Sequence, residues 1–253
     1  LDRACARAGT RHSIVVMIDV GDLREGLMPD AAGAFIERVA GLGHIDIVGL
    51  GASLTCYGAI VPDEHNLGLL ANLAQEAGDR LGRRMLVSGG SSTSIAMVMA
   101  GRAPAAIDNL RIGEAILLGV DPATREPIPG LSLRTDAIIL TAPVIECAFK
   151  PSLPIGTAAQ DAFGATPAFQ DLGVRRRAIL ALGRQDVAPE DIVPLDPGVR
   201  VLGASSDHLV LDVEDMVAAP EVGDAISFVP GYAATLRLFT SRYVAKVISG
   251  EPG

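Results

Sequence analysis

An alternation of two hydrophobic periods runs through about the first 120 residues and restricts this chain to one class of architecture. Ser13-Ile14-Val15-Val16-Met17-Ile18-Asp19-Val20 is an almost unbroken apolar run ended by Gly21, the pattern of a strand covered on both faces. Phe35, Ile36 and Val39 then share one face of a helix between Ala31 and Gly41. Ile45 to Leu50 reads as a strand, Asp63 to Leu81 as a helix with Leu67, Leu70, Leu73, Ala74, Ala77 and Leu81 at helical spacing,. Met85 to Ser88 is the next strand, Ser92 to Gly101 a helix, and Ile107 to Arg111 a strand. Repeated strand–helix units call for a parallel sheet with crossover helices. Four units make half of an eight-fold barrel or a small open sheet, and in both architectures ligands sit at the carboxyl ends of the strands.

After the proline-rich segment Asp121 to Gly130 the pattern changes. Thr135–Ile145, Arg177–Leu182, Val199–Leu202, Leu209–Val213, Ala225–Val229 and Arg242–Ile248 read as short strands between turns rich in Gly, Pro and Asp, with one helix at Ala233–Phe239,. The expected fold class is therefore α/β plus β. Residues 1–125 form a parallel α/β unit and residues 126–253 a β domain.

Composition narrows the partners. A net charge of −9 argues against nucleic acid, whose phosphates require a basic face,. Aromatic residues are only 4% and tryptophan is absent, so the core has to be aliphatic. The three cysteines, Cys5, Cys56 and Cys147, show no paired spacing, and no secretory leader precedes them, which suits reduced thiols in a cytoplasm,. No apolar run approaches the ~20 residues of a membrane-spanning helix.

The segment Asn109-Leu110-Arg111-Ile112-Gly113-Glu114-Ala115 carries the most chemistry. It sets an arginine, which cannot be deprotonated, at a strand end beside a glycine opening a helix, where backbone N–H groups can hold a phosphate. Ser88-Gly89-Gly90-Ser91-Ser92 offers a second small-residue turn of the same kind.

These motifs occur in order with Val20-Gly21-Asp22-Leu23-Arg24-Glu25-Gly26, Gly49-Leu50-Gly51 and Thr55-Cys56-Tyr57-Gly58 in the first half. In the second half stand Gln160-Asp161-Ala162-Phe163-Gly164, Arg177-Ala178-Ile179-Leu180-Ala181-Leu182-Gly183-Arg184-Gln185-Asp186 and Gly203-Ala204-Ser205-Ser206-Asp207-His208-Leu209. Over residues 11 to 248 the set resembles the pyridoxal-phosphate-dependent amino-acid racemases of alanine-racemase fold type (fold type III), and most the ornithine racemase branch.

The resemblance implies a (β/α)8 barrel, of which the last four units are visible here, followed by the family's β domain. It implies pyridoxal 5′-phosphate as cofactor, a cytoplasmic homodimer whose active site is shared between subunits, and an amino-acid substrate, ornithine or another basic one. Arg111 would bond the ring nitrogen. Gly113 and Glu114, with Ser88, Gly90 and Ser91, would grip the phosphate, joined by Tyr232. Arg24 would lie near the phenolic oxygen. Ser53 stands where alanine racemases stack a histidine on the ring, which leaves stacking to another residue, with Tyr57 a candidate. Phe163 stands where those enzymes use a tyrosine as second acid/base, and a phenyl ring transfers no proton. Asp161, Asp207 and His208 are the candidates for that base or for pairing a substrate ammonium.

The resemblance also implies a lysine after the first barrel strand, bonded to the cofactor's aldehyde. Lys150 and Lys246 are the only lysines, and both lie in the β half. Leu1 to Gly9 reads as the end of a helix with a glycine stop,. Roughly a hundred residues with the first four units and that lysine are therefore expected before Leu1. Competing readings are an alanine-racemase-like enzyme of other specificity, a lyase or decarboxylase on the same scaffold, and a non-catalytic pyridoxal-phosphate-binding or homeostasis protein.

Overall fold

The computed structural model describes residues 1–248 and divides into two compact units, Leu1–Thr135 and the residues from Asp136 onward.

The first unit follows the alternation read from the sequence. Helix α1 (Asp2–Ala8) stops on Gly9 in the left-handed conformation. Then come β1 (His12–Met17), α2 (Ala32–Ala40), β2 (Ile45–Ala52), α3 (Glu64–Leu81), β3 (Leu86–Ser91), α4 (Ser94–Met99), β4 (Asn109–Arg111) and α5 (Glu114–Leu118). The strands form one parallel sheet in the order β1-β2-β3-β4. Among the described residues β1 pairs only with β2, and β4 only with β3. Helix α3 shows why these residues choose a helix: the Asp63 carboxylate accepts the Asn66 N–H at 2.7 Å while the Asn66 side chain accepts the Asp63 N–H at 3.0 Å. That reciprocal cap satisfies two N–H groups that the helix leaves unpaired. Leu67, Leu70, Ala74 and Ala77 then pack on Ile18, Ile47, Leu50 and Leu54, all buried.

Strand β1 ends three residues earlier than its apolar run suggests. Past Met17 the chain bends, and Leu27 returns to bond it, with the Leu27 N–H on the Met17 carbonyl and the Asp19 N–H on the Leu27 carbonyl. Gly26 makes this return possible: at φ +124°, a Cβ there would lie 2.7 Å from the Asp19 nitrogen.

The break between units falls at Thr135/Asp136, where the sequence pattern places it at 125/126. The reason is packing. Ile128 is buried against Ile95 and Ala115, and Gly119 closely approaches the Arg134 carbonyl, so the proline-rich segment is tied to the first unit.

The second unit is a six-stranded antiparallel sheet in the order β7-β10-β5-β6-β9-β8. Its strands are β5 (Leu140–Pro151), β6 (Val174–Leu180), β7 (Ile192–Pro194), β8 (Arg200–Ala204), β9 (Leu209–Asp212) and β10 (Ala225–Pro230), followed by α6 (Tyr232–Thr240). Leu140, Ala142 and Val144 are buried while Thr141, Pro143 and Ile145 are exposed, the period-two signature of a sheet with one covered face,. Long β5 pairs with β10 at one end and β6 at the other.

The expected strand at Arg242–Ile248 does not form. Val247 is 85% exposed and Ile248 fully so, while the Tyr243 N–H donates to Ser241 Oγ, which itself bonds the Asp186 carboxylate. The sequence pattern also passed over β7, which is three residues long and ends in proline. No helix among the described residues is long and apolar enough to cross a membrane.

Candidate functional site

Two buried or nearly buried carboxylates shape the loops at the carboxyl ends of β1 and β2. Asp19 accepts the N–H groups of Gly21 and Leu23 at 2.9 and 3.1 Å. Asp22, 1% exposed, accepts those of Cys56, Tyr57 and Ile60 at 2.9–3.3 Å. Burial pushes the Asp22 carboxyl up, but these backbone donors, with Gly58, outweigh it and hold it below the ordinary range,. Asp22 thereby ties the loop after β1 to the loop after β2.

That tie gathers Arg24, Glu25, Ser53 and Cys56. The Arg24 guanidinium donates to Ser53 Oγ at 2.8 Å and Cys56 Sγ at 2.6 Å, and it pairs with the Glu25 carboxylate. Hydrogen bonding from Arg24 holds the Glu25 carboxyl low against its burial, aided by the charges of Arg24 and Arg111 and a bond from Ser53. Tyr57 lends its N–H to Asp22, while its ring is 78% exposed.

Arg111, the last residue of β4, reaches back across the sheet. One terminal nitrogen donates to Ser88 Oγ at 2.6 Å, on β3, and the other to the Ala52 carbonyl at 2.8 Å, the end of β2. Ser88 is 3% exposed and passes its own hydrogen to Asn109 Oδ1 at 2.8 Å. A fixed cation at the end of β4 is thus held by the end of β2 and the interior of β3.

Near the end of β3 glycine is necessary at Gly90, where φ is +99° and a Cβ would lie 2.6 Å from Ser94 Oγ. Ser91 pairs with Arg111 in the ladder. The Gly113 N–H, expected to face a phosphate, donates instead to Ser92 Oγ at 3.3 Å, as does the Ala115 N–H at 3.1 Å. The reason is the buried Ser92 hydroxyl, which reaches the start of the five-residue α5. The Glu114 carboxylate accepts from Arg125 at 3.0 Å.

The remaining candidates lie in the second unit. Asp161 Oδ1 accepts the N–H groups of Phe163 and Ala165, closing a turn. Phe163 sets its ring under the Arg184 guanidinium, 5.1 Å from the ring centre. The backbone of Arg184 and Gln185 bonds the carbonyls of Ser205 and Ser206. Next to these stand Asp207 and His208, with His208 Nδ1 3.3 Å from Asp207 Oδ1 and both side chains about half exposed. Arg184 thus meets the Phe163 ring through its side chain and the Ser205 carbonyl through its backbone. Tyr232 opens α6 and is 51% exposed, its helix capped by Asp191, which accepts the Ala234 N–H at 3.0 Å. Lys150 pairs with Glu146 on β5, and Lys246 bonds the Ser241 carbonyl. Neither belongs to the parallel sheet.

Sequence reasoning assigned no role to Asp22, Glu25, Ser92 or Arg184. All four lie in or beside the quoted motifs, but only folding shows what each side chain touches.

A parallel α/β unit with an arginine pinned across its strand tips, followed by an antiparallel β unit, is the build of the alanine racemase class. Residues 1–122 match the family model of the alanine racemase N-terminal domain. The crystal structure of alanine racemase from the D-cycloserine producer Streptomyces lavendulae shares the fold, with a TM-score of 0.62 and 18% identity over 93% of this chain and 60% of that one. So does D-threonine aldolase from Filomicrobium marinum, with a TM-score of 0.63 and 22% identity over 92% of this chain and 58% of that one.

Closer likeness lies in sequence. The chain is 42% identical over 248 residues to the ornithine racemase of Acetoanaerobium sticklandii, covering 97% of this chain and 70% of that protein. It is 41% identical over 235 residues to the lysine racemase of Thermotoga maritima, covering 92% of this chain and 65% of that protein. The chain belongs to the alanine racemase family, as an ornithine-racemase-like member of the pyridoxal-phosphate-dependent racemases of fold type III.

Proposed function

We propose that this chain serves a pyridoxal-phosphate-dependent racemase that interconverts the L and D forms of a basic amino acid, ornithine foremost, acting as a homodimer. The observation that carries the reading is the Arg111 guanidinium, bonded to Ser88 and the Ala52 carbonyl at the carboxyl rim. The likeness to ornithine and lysine racemases points to the substrate class. The four parallel strands are read as part of a (β/α)8 barrel, in keeping with the alanine racemase fold.

The donor set suits the cofactor at its ring nitrogen and its phosphate. When bound, pyridoxal phosphate withdraws electrons from the substrate's α-carbon. Arg111 would face the ring nitrogen and, being a permanent cation with no proton to give, would leave that nitrogen unprotonated. Ser88 and Asn109 hold Arg111 in place. Arg24 and Ser53 would stand at the phenolic edge, with Tyr57 beside them. Main-chain N–H groups of Gly90, Ser91 and Glu114 would take the phosphate, and Gly113 would join them on releasing Ser92.

Of the base candidates, Asp161 has one oxygen committed to its own turn and shares its surroundings with three arginines. That setting disfavours it as partner of an ammonium. His208 is the better proton carrier, with Asp207 orienting its ring from 3.3 Å,. Neither lysine of the sequence belongs to the parallel sheet: Lys150 pairs with Glu146 on β5, and Lys246 bonds the Ser241 carbonyl.

Two measurements test the reading. Pyridoxamine 5′-phosphate needs no lysine, so its titration followed by absorbance reads the ring and phosphate contacts alone. Chiral chromatography after incubating the protein with pyridoxal phosphate and L-ornithine reads the reaction. D-ornithine accumulation supports the proposal. No D-isomer from ornithine, lysine or alanine, with the cofactor bound, would leave a binding protein.

A further inference from the structure

The second unit contains a cavity of about 590 Å³ walled in part by Arg177, Arg184, Arg200, Asp161 and Asp212. Three arginines face two carboxylates on its walls. Asp212, 3% exposed, is already claimed by Arg175 at 2.7 and 3.1 Å, by Arg200 at 2.9 Å and by the Glu214 N–H at 3.1 Å. Asp212 is thus shared by two guanidinium groups, of which Arg175 also pairs with Asp215 at 2.6 Å. Asp161 has Oδ1 committed to two backbone donors of its turn.

The other two arginines carry donors in excess. Arg177 gives one terminal nitrogen to the Ser152 carbonyl at 2.8 Å. Arg184 has one carboxylate contact, a 3.3 Å approach to the well-exposed Glu190. Its Nε is buried and has no hydrogen-bond partner among the described residues. A guanidinium presents five N–H donors in a rigid fork matched to carboxylate and phosphate. A buried donor left unpaired is costly, and such groups are rare in folded proteins. The Arg184 backbone is fixed by the Ser205 carbonyl and its guanidinium rests on Phe163, so the fork is held in place before anything binds.

We propose that this cavity binds a small oxyanion, the carboxylate or phosphate group of a compact molecule, with Arg184 and Arg177 as its donors and Arg200 supplying further positive charge. Leu202 on the same wall offers contact to an organic body. The cavity shares Asp161 with the racemase candidates, but neither cofactor nor turnover enters its test.

The test is isothermal titration calorimetry of the full chain, at constant ionic strength set with chloride, using malonate and inorganic phosphate as separate probes. Saturable binding with a dissociation constant of about 1 mM or tighter is expected for at least one probe. Malonate alone would identify a carboxylate site and phosphate alone a phosphate site, either supporting the proposal. Arg184→Gln and Arg177→Gln should each weaken binding at least about tenfold. In the unaltered protein, the Arg184 Nε–H resonance should shift along the titration, a readout that survives if a variant fails to fold. Absence of saturable heat from both probes would overturn the proposal. So would undiminished affinity in both variants, or an Arg184 Nε–H signal that stays put at saturation.

Discussion

Arg111 Nη1 donates to Ser88 Oγ at 2.6 Å, joining the end of β4 to the interior of β3. Its partner nitrogen bonds a main-chain carbonyl of β2, so the guanidinium is fixed by backbone as well as side chain. Replacing Arg111 by alanine should lower affinity for pyridoxamine 5′-phosphate at least about tenfold, some 1.4 kcal/mol. Unfolding stability should fall by only about 1 kcal/mol, since the lost bonds are partly exposed. Arg111→Lys should not restore binding, because an ammonium cannot span two acceptors in a planar fork. Absorbance titration and urea denaturation on the same preparations separate the two effects.

Asp22 gives a pH signature. Its carboxyl is held below the ordinary value of 3.8 in the folded chain: burial raises it, and the N–H groups of the 56–60 loop lower it further than burial raises it. A depressed folded value means that the ionised form stabilises the fold above the unfolded pKa, and that this contribution is lost as pH falls through the folded value. Stability should therefore decline on acidification from pH 3.8 downward. Asp22→Asn should show a shallower decline and a loss of about 2 kcal/mol at neutral pH, from donors left without their acceptor. Urea midpoints at neutral pH and at pH 3.8 and below provide the comparison.

Asp212 is the acceptor on which Arg175 and Arg200 converge. Asp212→Ala should destabilise the protein by about 3 kcal/mol, because mostly buried Arg175 then keeps only its contact with the exposed Asp215 and Arg200 loses its carboxylate,. The double replacement Arg175→Met, Asp212→Leu should cost less than the single one. A double-mutant cycle by chemical denaturation checks the order, and a costlier double variant would contradict it.

Gly26 is predicted to be intolerant of any side chain. At φ +124° a Cβ would lie 2.7 Å from the Asp19 nitrogen and 2.8 Å from the Ile18 carbonyl carbon, both backbone atoms that cannot swing aside. Gly26→Ala should cost about 2 kcal/mol or more. Because the strain falls on the loop bearing Arg24 and Glu25, pyridoxamine 5′-phosphate affinity should drop with it.

In the racemase assay, His208→Asn should reduce kcat by about 10²–10⁴ with little change in KM, as expected when a proton carrier is removed. Asp207→Asn should act more weakly and shift the pH profile of kcat, since it touches the imidazole rather than the substrate. A His208→Asn enzyme with full turnover would remove His208 from the mechanism.

Much of the first unit could be read ahead because buried parallel strands and amphipathic helices leave distinct periods. The spacing from Leu67 to Ala77 is an example, and it forms the face of α3 that packs on the sheet. Strand ends were less legible. Ile18 and Val20 are as apolar as a strand interior, yet they belong to a bend closed by Leu27, a contact that no local pattern encodes. Val247 and Ile248 carry strand-forming side chains, but they lie exposed with no sheet to join. The site divides in the same way. Arg111 announced itself through its neighbours in sequence, whereas its acceptors come from two other strands. Ser92 looked like one more small turn residue until its hydroxyl met the Gly113 amide.

The contact between Arg24 and Cys56 has a practical consequence. Cys5 is buried and Cys147 half-buried, whereas Cys56 is exposed on the rim loop. A thiol-directed dye should therefore attach first at the mouth of the parallel sheet, where a fluorescent tag would report arrivals and departures without engineering a new attachment point.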